Sequence, residues 1–103
     1  TELIIVNLES SMDYKALFTA ANNVVQTIDN QPPYHASADV LASIKNQMIF
    51  IRDNAALSKK PSTALPPNTK FTYAVLAARE LASPDELMLQ AQIDKVTELL
   101  INA

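Results

Sequence analysis

The sequence predicts an all-α protein: a single-domain bundle of about four helices over residues 1–103, with a long proline-rich loop between helices 2 and 3. Three observations predict it. The chain has no glycine, where an average usage of about 7% would give roughly seven. Without glycine, the Asn-Gly type of hairpin turn that antiparallel sheets favour is missing. Apolar residues recur at three- and four-residue steps in four separate stretches, which is the period of a helix with one buried face. The six prolines fall between those stretches.

Residues 1–9, Thr-Glu-Leu-Ile-Ile-Val-Asn-Leu-Glu, form an N-terminal arm whose structure stays open between extended arm, short strand and early helical turn. Four consecutive apolar residues do not fix a period. The helical period is clear from about Ser10, where Ser10 and Asp13 are spaced as a capping pair. Tyr14, Leu17, Phe18, Ala21, Val24, Val25 and Ile28 make the inward stripe of the first helix. It should stop near Asn30, because Gln31 precedes Pro32 and is pushed out of the α region. Asn30 is suited to a left-handed cap in the place of glycine.

Pro32-Pro33-Tyr34-His35 reads as a rigid connector. Ala36 or Ser37 begins the second helix, with Asp39 in a first turn whose dipole favours an acid. Val40, Leu41, Ile44, Met48, Ile51 and Ala55 form its stripe, and Ile49 and Phe50 widen it, so this helix should be central and end around Leu57. Residues 58–70 carry three prolines and read as a long loop, stiffened toward polyproline geometry. Asn68 or Thr69 should cap a short third helix with Phe71, Ala74, Val75, Ala78 and Leu81 on one face. Ser83-Pro84-Asp85-Glu86 is the sharpest local signal: Ser as N-cap, Pro at N1, and Glu at N3 closing a capping box. The fourth helix should run to about Ile101, with Leu89, Ile93, Val96 and Leu100 inward and Leu87, Met88, Leu99 and Ile101 broadening the stripe.

Composition bounds the chemistry. At 103 residues and 49% hydrophobic, the chain has material for one core. It has no cysteine and one histidine, His35, so disulfides, thiolate metal sites and histidine clusters lack their parts; no metal or cofactor is expected. Glycine-rich phosphate loops cannot be written with this alphabet. The net charge is −3, but Lys59, Lys60 and Lys70 sit in the proline-rich loop, leaving five bases against eleven acids elsewhere. An acidic body with one basic loop does not present the basic stripe that nucleic acid needs. Apolar runs such as Leu3–Val6 and Met48–Ile51 are far too short to span a membrane, and no signal peptide is visible. A cytoplasmic protein is expected.

Candidate reactive groups have plainer explanations. His35, Ser37 and Asp39 lie too close in sequence for a triad, and a solvated histidine beside a helix cap accounts for them. Asp85 and Glu86 suit the start of a helix. Asp94 and Glu98 are a like-charge i, i+4 pair on a helix surface. Pro32-Pro33-Tyr34 lacks the spacer of a PPxY ligand, and Leu65-Pro66-Pro67 is a weak polyproline ligand beside its role in helix termination. No catalytic residue is assigned and an enzyme is not expected.

In the second helix, Ser43-Ile44-Lys45-Asn46-Gln47-Met48-Ile49-Phe50-Ile51-Arg52 resembles the central helix of a small family of type VI secretion immunity proteins that neutralise NAD(P)+-glycohydrolase effectors. The similar positions are Ser43, Gln47, Met48, Phe50 and Ile51-Arg52. Pro33-Tyr34 sits where that family has a Pro/Gly-Tyr connector. Ala74-Val75 and Ser83-Pro84-Asp85-Glu86-Leu87 are similar to its third and fourth helices. The resemblance runs over about residues 12–96; the connector after Tyr34 is longer here, and the proline-rich loop and residues 1–10 have no counterpart. It implies a small helical immunity protein, without activity of its own, that binds a cognate secreted toxin and occludes its active site.

The contact residues come from charge and shape instead. Asp85, Glu86, Asp94 and Glu98 are expected to form an acidic strip on the last helix, and Tyr34 and His35 to cap the connector as an anchor for a pocket. Arg52 is expected to pair with Asp53 or Asp29. The alternative is a helical adaptor or chaperone-like subunit binding a peptide or partner helix, which requires a contiguous exposed apolar patch such as one at Ile49 and Phe50. A small enzymatic or ligand-binding helical domain would instead need a pocket near His35.

Overall fold

The computed structural model describes residues 13–33, 36–81 and 83–101, without the side chains of Asp85 and Ile101. The expectations for the arm 1–9, the Ser10 cap, Tyr34 and His35 lie outside the described residues. Within them, all regular structure is helical: α1 (Tyr14–Asn30), α2 (Ala38–Ala56), the single turn α3 (Pro61–Ala64), α4 (Tyr73–Glu80) and α5 (Leu87–Ile101), which a 3₁₀ turn over Pro84–Glu86 leads into. No helix among the described residues is long and apolar enough to cross a membrane.

One cluster of buried side chains joins α1, α2, α4 and α5. From α1 come Leu17, Ala20, Ala21, Val24, Val25 and Ile28; from α2, Leu41, Ile44, Met48, Ile51 and Ala55. These are the two stripes the period predicted, with Ala20 added and Phe18 displaced to the rim at 37% exposure. Ile44, Met48 and Ile51 are completely enclosed, and truncating any one to alanine should cost about 2–5 kcal/mol, the lost transfer energy plus a cavity. Helix α2 is central as expected, packed against α1, α3 and α4.

Polar side chains fix how α1 and α2 pair. Asp29 bridges to Lys45, and Arg52 Nη1 donates to Asn22 Oδ1 at 3.3 Å. Seven residues back along α1 matches seven residues forward along α2, so the helices run antiparallel with a polar seam of two turns, about 10 Å long. Arg52 Nε also bonds Asp53 Oδ1 at 3.2 Å. The expected Asp53 pairing is therefore present, while Asp29 belongs to Lys45 instead.

Helix ends show how a chain without glycine turns. Asp13 caps α1, its carboxylate accepting from Ala16 N–H at 2.9 Å. Ser37 caps α2, its Oγ accepting from Asp39 N–H at 3.2 Å. Asn30 is the last residue of α1, and Gln31 follows with φ −142°, so the left-handed cap expected at Asn30 is not there. The left-handed residues are Ser58, φ 55°, and Asn68, φ 65°. After α2, Ser58 N–H bonds Ala55 O at 3.0 Å and Lys59 N–H bonds Asn54 O at 2.9 Å. That is a Schellman motif with serine in the usual glycine position.

The proline-rich segment is more structured than a loop. Pro61 is buried and starts α3 at N1, the helical position where a missing N–H does no harm. Thr69 N–H bonds Pro66 O at 3.2 Å around Pro67 and left-handed Asn68. Proline at the second position and positive φ at the third define a type II turn. Asn68 is thus consumed by the turn and does not cap the next helix.

Helix α4 departs from the sequence reading for that reason. It starts later, after Thr72, and its buried side chains are Tyr73 and Ala77, followed by Leu81 at the C-cap. Ala74, Val75 and Ala78, expected inward, face out. Phe71, Tyr73 and Ala74–Ala78 are nearly all apolar, so two neighbouring faces satisfy the helical period equally. Packing selects the Tyr73 face: Phe71 sits edge-on to Phe50 at 6.0 Å and to Tyr73 at 6.1 Å. In α5, Leu89, Ile93 and Val96 are buried and Leu99 and Leu100 pack against the core as expected. Leu87 and Met88 do not broaden that stripe; they are 62% and 56% exposed.

Candidate interaction surface

The α2 residues of the immunity-family resemblance do structural work. Gln47 Oε1 accepts from the N–H groups of Thr72 and Tyr73, both at 2.8 Å. Its Nε2 donates to Thr72 Oγ1 at 2.9 Å and to Ser43 Oγ at 3.3 Å. One amide side chain from α2 therefore satisfies two of the orphan donors at the start of α4, which Thr72 does not cap with its own side chain. Met48 and Ile51 are core, Phe50 packs on Phe71, and Arg52 ties α2 to α1. The shared pattern holds helices together, so it says nothing about which face meets a partner.

The expected contact residues separate. Tyr34, His35 and the Asp85 side chain are outside the described residues. Glu86 is not on an exposed strip: it is 1% exposed. Its Oε1 accepts from Ser83 N–H at 2.8 Å, closing the capping box, and its Oε2 is enclosed without a hydrogen-bond partner. The box was legible, but it fixes the bond and not the depth. The 3₁₀ turn folds the carboxylate inward, where an N3 glutamate usually lies at the surface.

Asp94 and Glu98 do come together. Both are exposed and one turn apart on α5. Gln90 Nε2 donates to Asp94 Oδ1 at 3.1 Å, and Lys95 Nζ lies 3.7 Å from Glu98 Oε1. These are open surface contacts, of the kind worth about 0–1 kcal/mol, so both carboxylates remain available to a basic partner. Behind them Tyr73 Oη and Thr97 Oγ1 bond at 2.9 Å, fastening α4 to α5. Burial pushes the Tyr73 phenol above its ordinary value; the Thr97 bond opposes this and Asp94 reinforces it.

Sequence reading missed a second feature, a groove of about 670 Å³ between α1 and α5. Ala16 and the buried Ala20 form a small floor, and the exposed Ala91 and Met88 line the α5 side. Lys15 and Lys95 are exposed at its rim. Gln92 also lines it and holds an enclosed Oε1 without a partner. No local pattern marks such a groove, since it depends on where α5 lies against α1. The patch expected at Ile49 and Phe50 is absent, because both are half-buried. Among the described residues no three histidine or acidic side chains converge as metal ligands.

In comparisons with protein-family models, with curated proteins and with solved structures, nothing matches this chain.

Proposed function

We propose that the protein is an immunity protein that binds a cognate interbacterial toxin in the cytoplasm and blocks it by covering its active-site cleft. The observation that carries this reading is the exposed pair Asp94 and Glu98 on α5, a rigid helical face backed by buried Leu89, Ile93 and Val96. Paired carboxylates on a stiff surface suit a cationic cleft, where complementary charge speeds encounter and disfavours wrong partners. The net charge of −3 acts in the same sense. The resemblance of residues 43–52 to immunity proteins of NAD(P)+-glycohydrolase effectors supports the class and suggests that target. Tyr34, His35 and Asp85 complete the proposed contact set; Glu86, being buried, leaves it. Co-expression with the toxin encoded beside this protein should restore growth and yield a complex on gel filtration. Persistent toxicity beside well-folded protein would sink the proposal.

One observation favours a second reading. The α1–α5 groove, with its alanine floor, suits a helix, as an adaptor for a peptide or partner helix would require. Competition separates the two: an adaptor's ligand is blocked by substitutions at Ala20 or Ala91, whereas toxin binding is blocked at Asp94 and Glu98.

A further inference from the structure

The most basic part of the chain carries a pocket of its own. Over residues 54–79 there are four bases, Lys59, Lys60, Lys70 and Arg79, and no acid, although the whole chain stands at −3. Elsewhere Lys45, Arg52 and Lys95 each sit against a carboxylate. Lys59, Lys60 and Lys70 are exposed and, among the described residues, pair with none.

Lys70 lines a pocket of about 310 Å³ between α2 and the type II turn. Phe50, Leu65 and Phe71, each half-buried, give its apolar lining, and Asn46, Thr69 and Lys70 form its exposed edge. Among the described residues no carboxylate lines it. Contacts already in place hold its walls. Gln47 binds the backbone and side chain of Thr72 on one side, at 2.8 and 2.9 Å. Thr69 N–H closes the turn onto Pro66 O at 3.2 Å on the other. Phe71 stands edge-on to Phe50 at 6.0 Å. A pocket preformed in this way binds without the ordering cost of a flexible loop.

Size and charge select the occupant. Ligand and cofactor sites span about 300–1,000 Å³. This pocket lies at the bottom of that range and has an exposed edge, so it suits one large side chain of a partner and not a whole cofactor. Lys70 at that edge favours an acid beside the side chain. Lys70 is also the one base among the described lining residues, whereas nucleic acid draws its affinity from many neutralised phosphates. A peptide therefore fits this chemistry better.

We propose that the pocket between α2 and the turn over residues 66–69 docks an acidic peptide, which seats an aromatic side chain on Phe50 and Phe71 and sets a neighbouring carboxylate against Lys70. Such a partner is opposite in charge to one that meets Asp94 and Glu98, so the two surfaces are tested separately.

The full-length, nitrogen-15-labelled protein is titrated with three short synthetic peptides. One carries a central phenylalanine among acidic residues, one has alanine in place of the phenylalanine, and one has lysines in place of the acids. The first should shift the amide resonances of Asn46, Phe50, Lys70 and Phe71, and the other two should bind about tenfold or more weakly. Lys70→Glu, at an exposed position, should weaken the first peptide about tenfold and keep the helical circular dichroism. Absence of shifts at these residues, or equal binding of the alanine peptide, overturns the proposal. So does a folded Lys70→Glu that binds as wild type. A thymidine oligonucleotide that binds the same residues more tightly than the peptide assigns Lys70 to phosphate and overturns it as well.

Discussion

Replacing Gln47 with alanine should destabilise the protein more than its half-buried position suggests. The side chain makes four hydrogen bonds, and two of them serve the N–H groups of Thr72 and Tyr73 at the start of α4. Loss of an N-cap costs about 1 kcal/mol. Tyr73 is only 3% exposed, and a buried donor left unpaired costs about 1–3 kcal/mol. The two estimates overlap, because the Tyr73 donor is part of the cap, and about 2–3 kcal/mol is expected in total for Gln47→Ala. For a domain of this size that lowers Tm by roughly 10–15 °C. Gln47→Glu separates accepting from donating. A carboxylate still accepts both backbone N–H groups and gains from the helix dipole, so it should cost less than about 1 kcal/mol. Urea unfolding followed by circular dichroism measures both variants. Should Gln47→Ala cost under about 0.5 kcal/mol, or Gln47→Glu cost as much as Gln47→Ala, the assignment of Gln47 as the cap of α4 is wrong.

Other consequences follow from the same contacts. Ser58→Gly should stabilise by about 0.5–1 kcal/mol, because a left-handed residue with a Cβ is strained by roughly 1–2 kcal/mol and glycine returns part of that as unfolded-chain entropy; thermal unfolding reads the gain, and a loss would contradict the Schellman geometry. Tyr73 holds its proton more tightly folded than unfolded, so its contribution is complete below about pH 10 and declines as pH rises through its higher folded value. Absorbance titration should show a late tyrosine ionisation, and Tyr73→Phe should remove both that step and its share of the alkaline stability loss. Glu86→Ala should destabilise by about 1–2 kcal/mol through the lost cap, yet leave toxin affinity unchanged in protein that remains folded; a specific loss of affinity would return Glu86 to the interface.

Features set by neighbouring residues were readable from the sequence, and features set by packing were not. The stripes of α1 and α2, the end of α2 at Ala56 and the Ser83–Glu86 box were readable, because each rests on residues within a few positions of one another. The phase of α4 was not, since its start is fixed by Gln47 from 25 residues away and its segment is apolar on adjoining faces. Turns were half readable. Proline and asparagine do stand in for glycine, but at Asn68 inside a type II turn and not at Asn30, and serine takes the left-handed place at Ser58. For the candidate surface, the i, i+4 spacing placed Asp94 and Glu98 together, while the depth of Glu86 and the α1–α5 groove depend on how helices pack, which spacing does not contain.

The central claim is that the α5 face carrying Asp94 and Glu98 meets a toxin. Its most direct measurement is the binding kinetics between this protein and the proposed toxin, sought in the neighbouring reading frame, for wild type and for Asp94→Lys with Glu98→Lys. Stoichiometric binding is predicted, with association slowed about tenfold or more by the charge reversal and by added salt. No complex, or a complex whose association ignores both carboxylates, would contradict it.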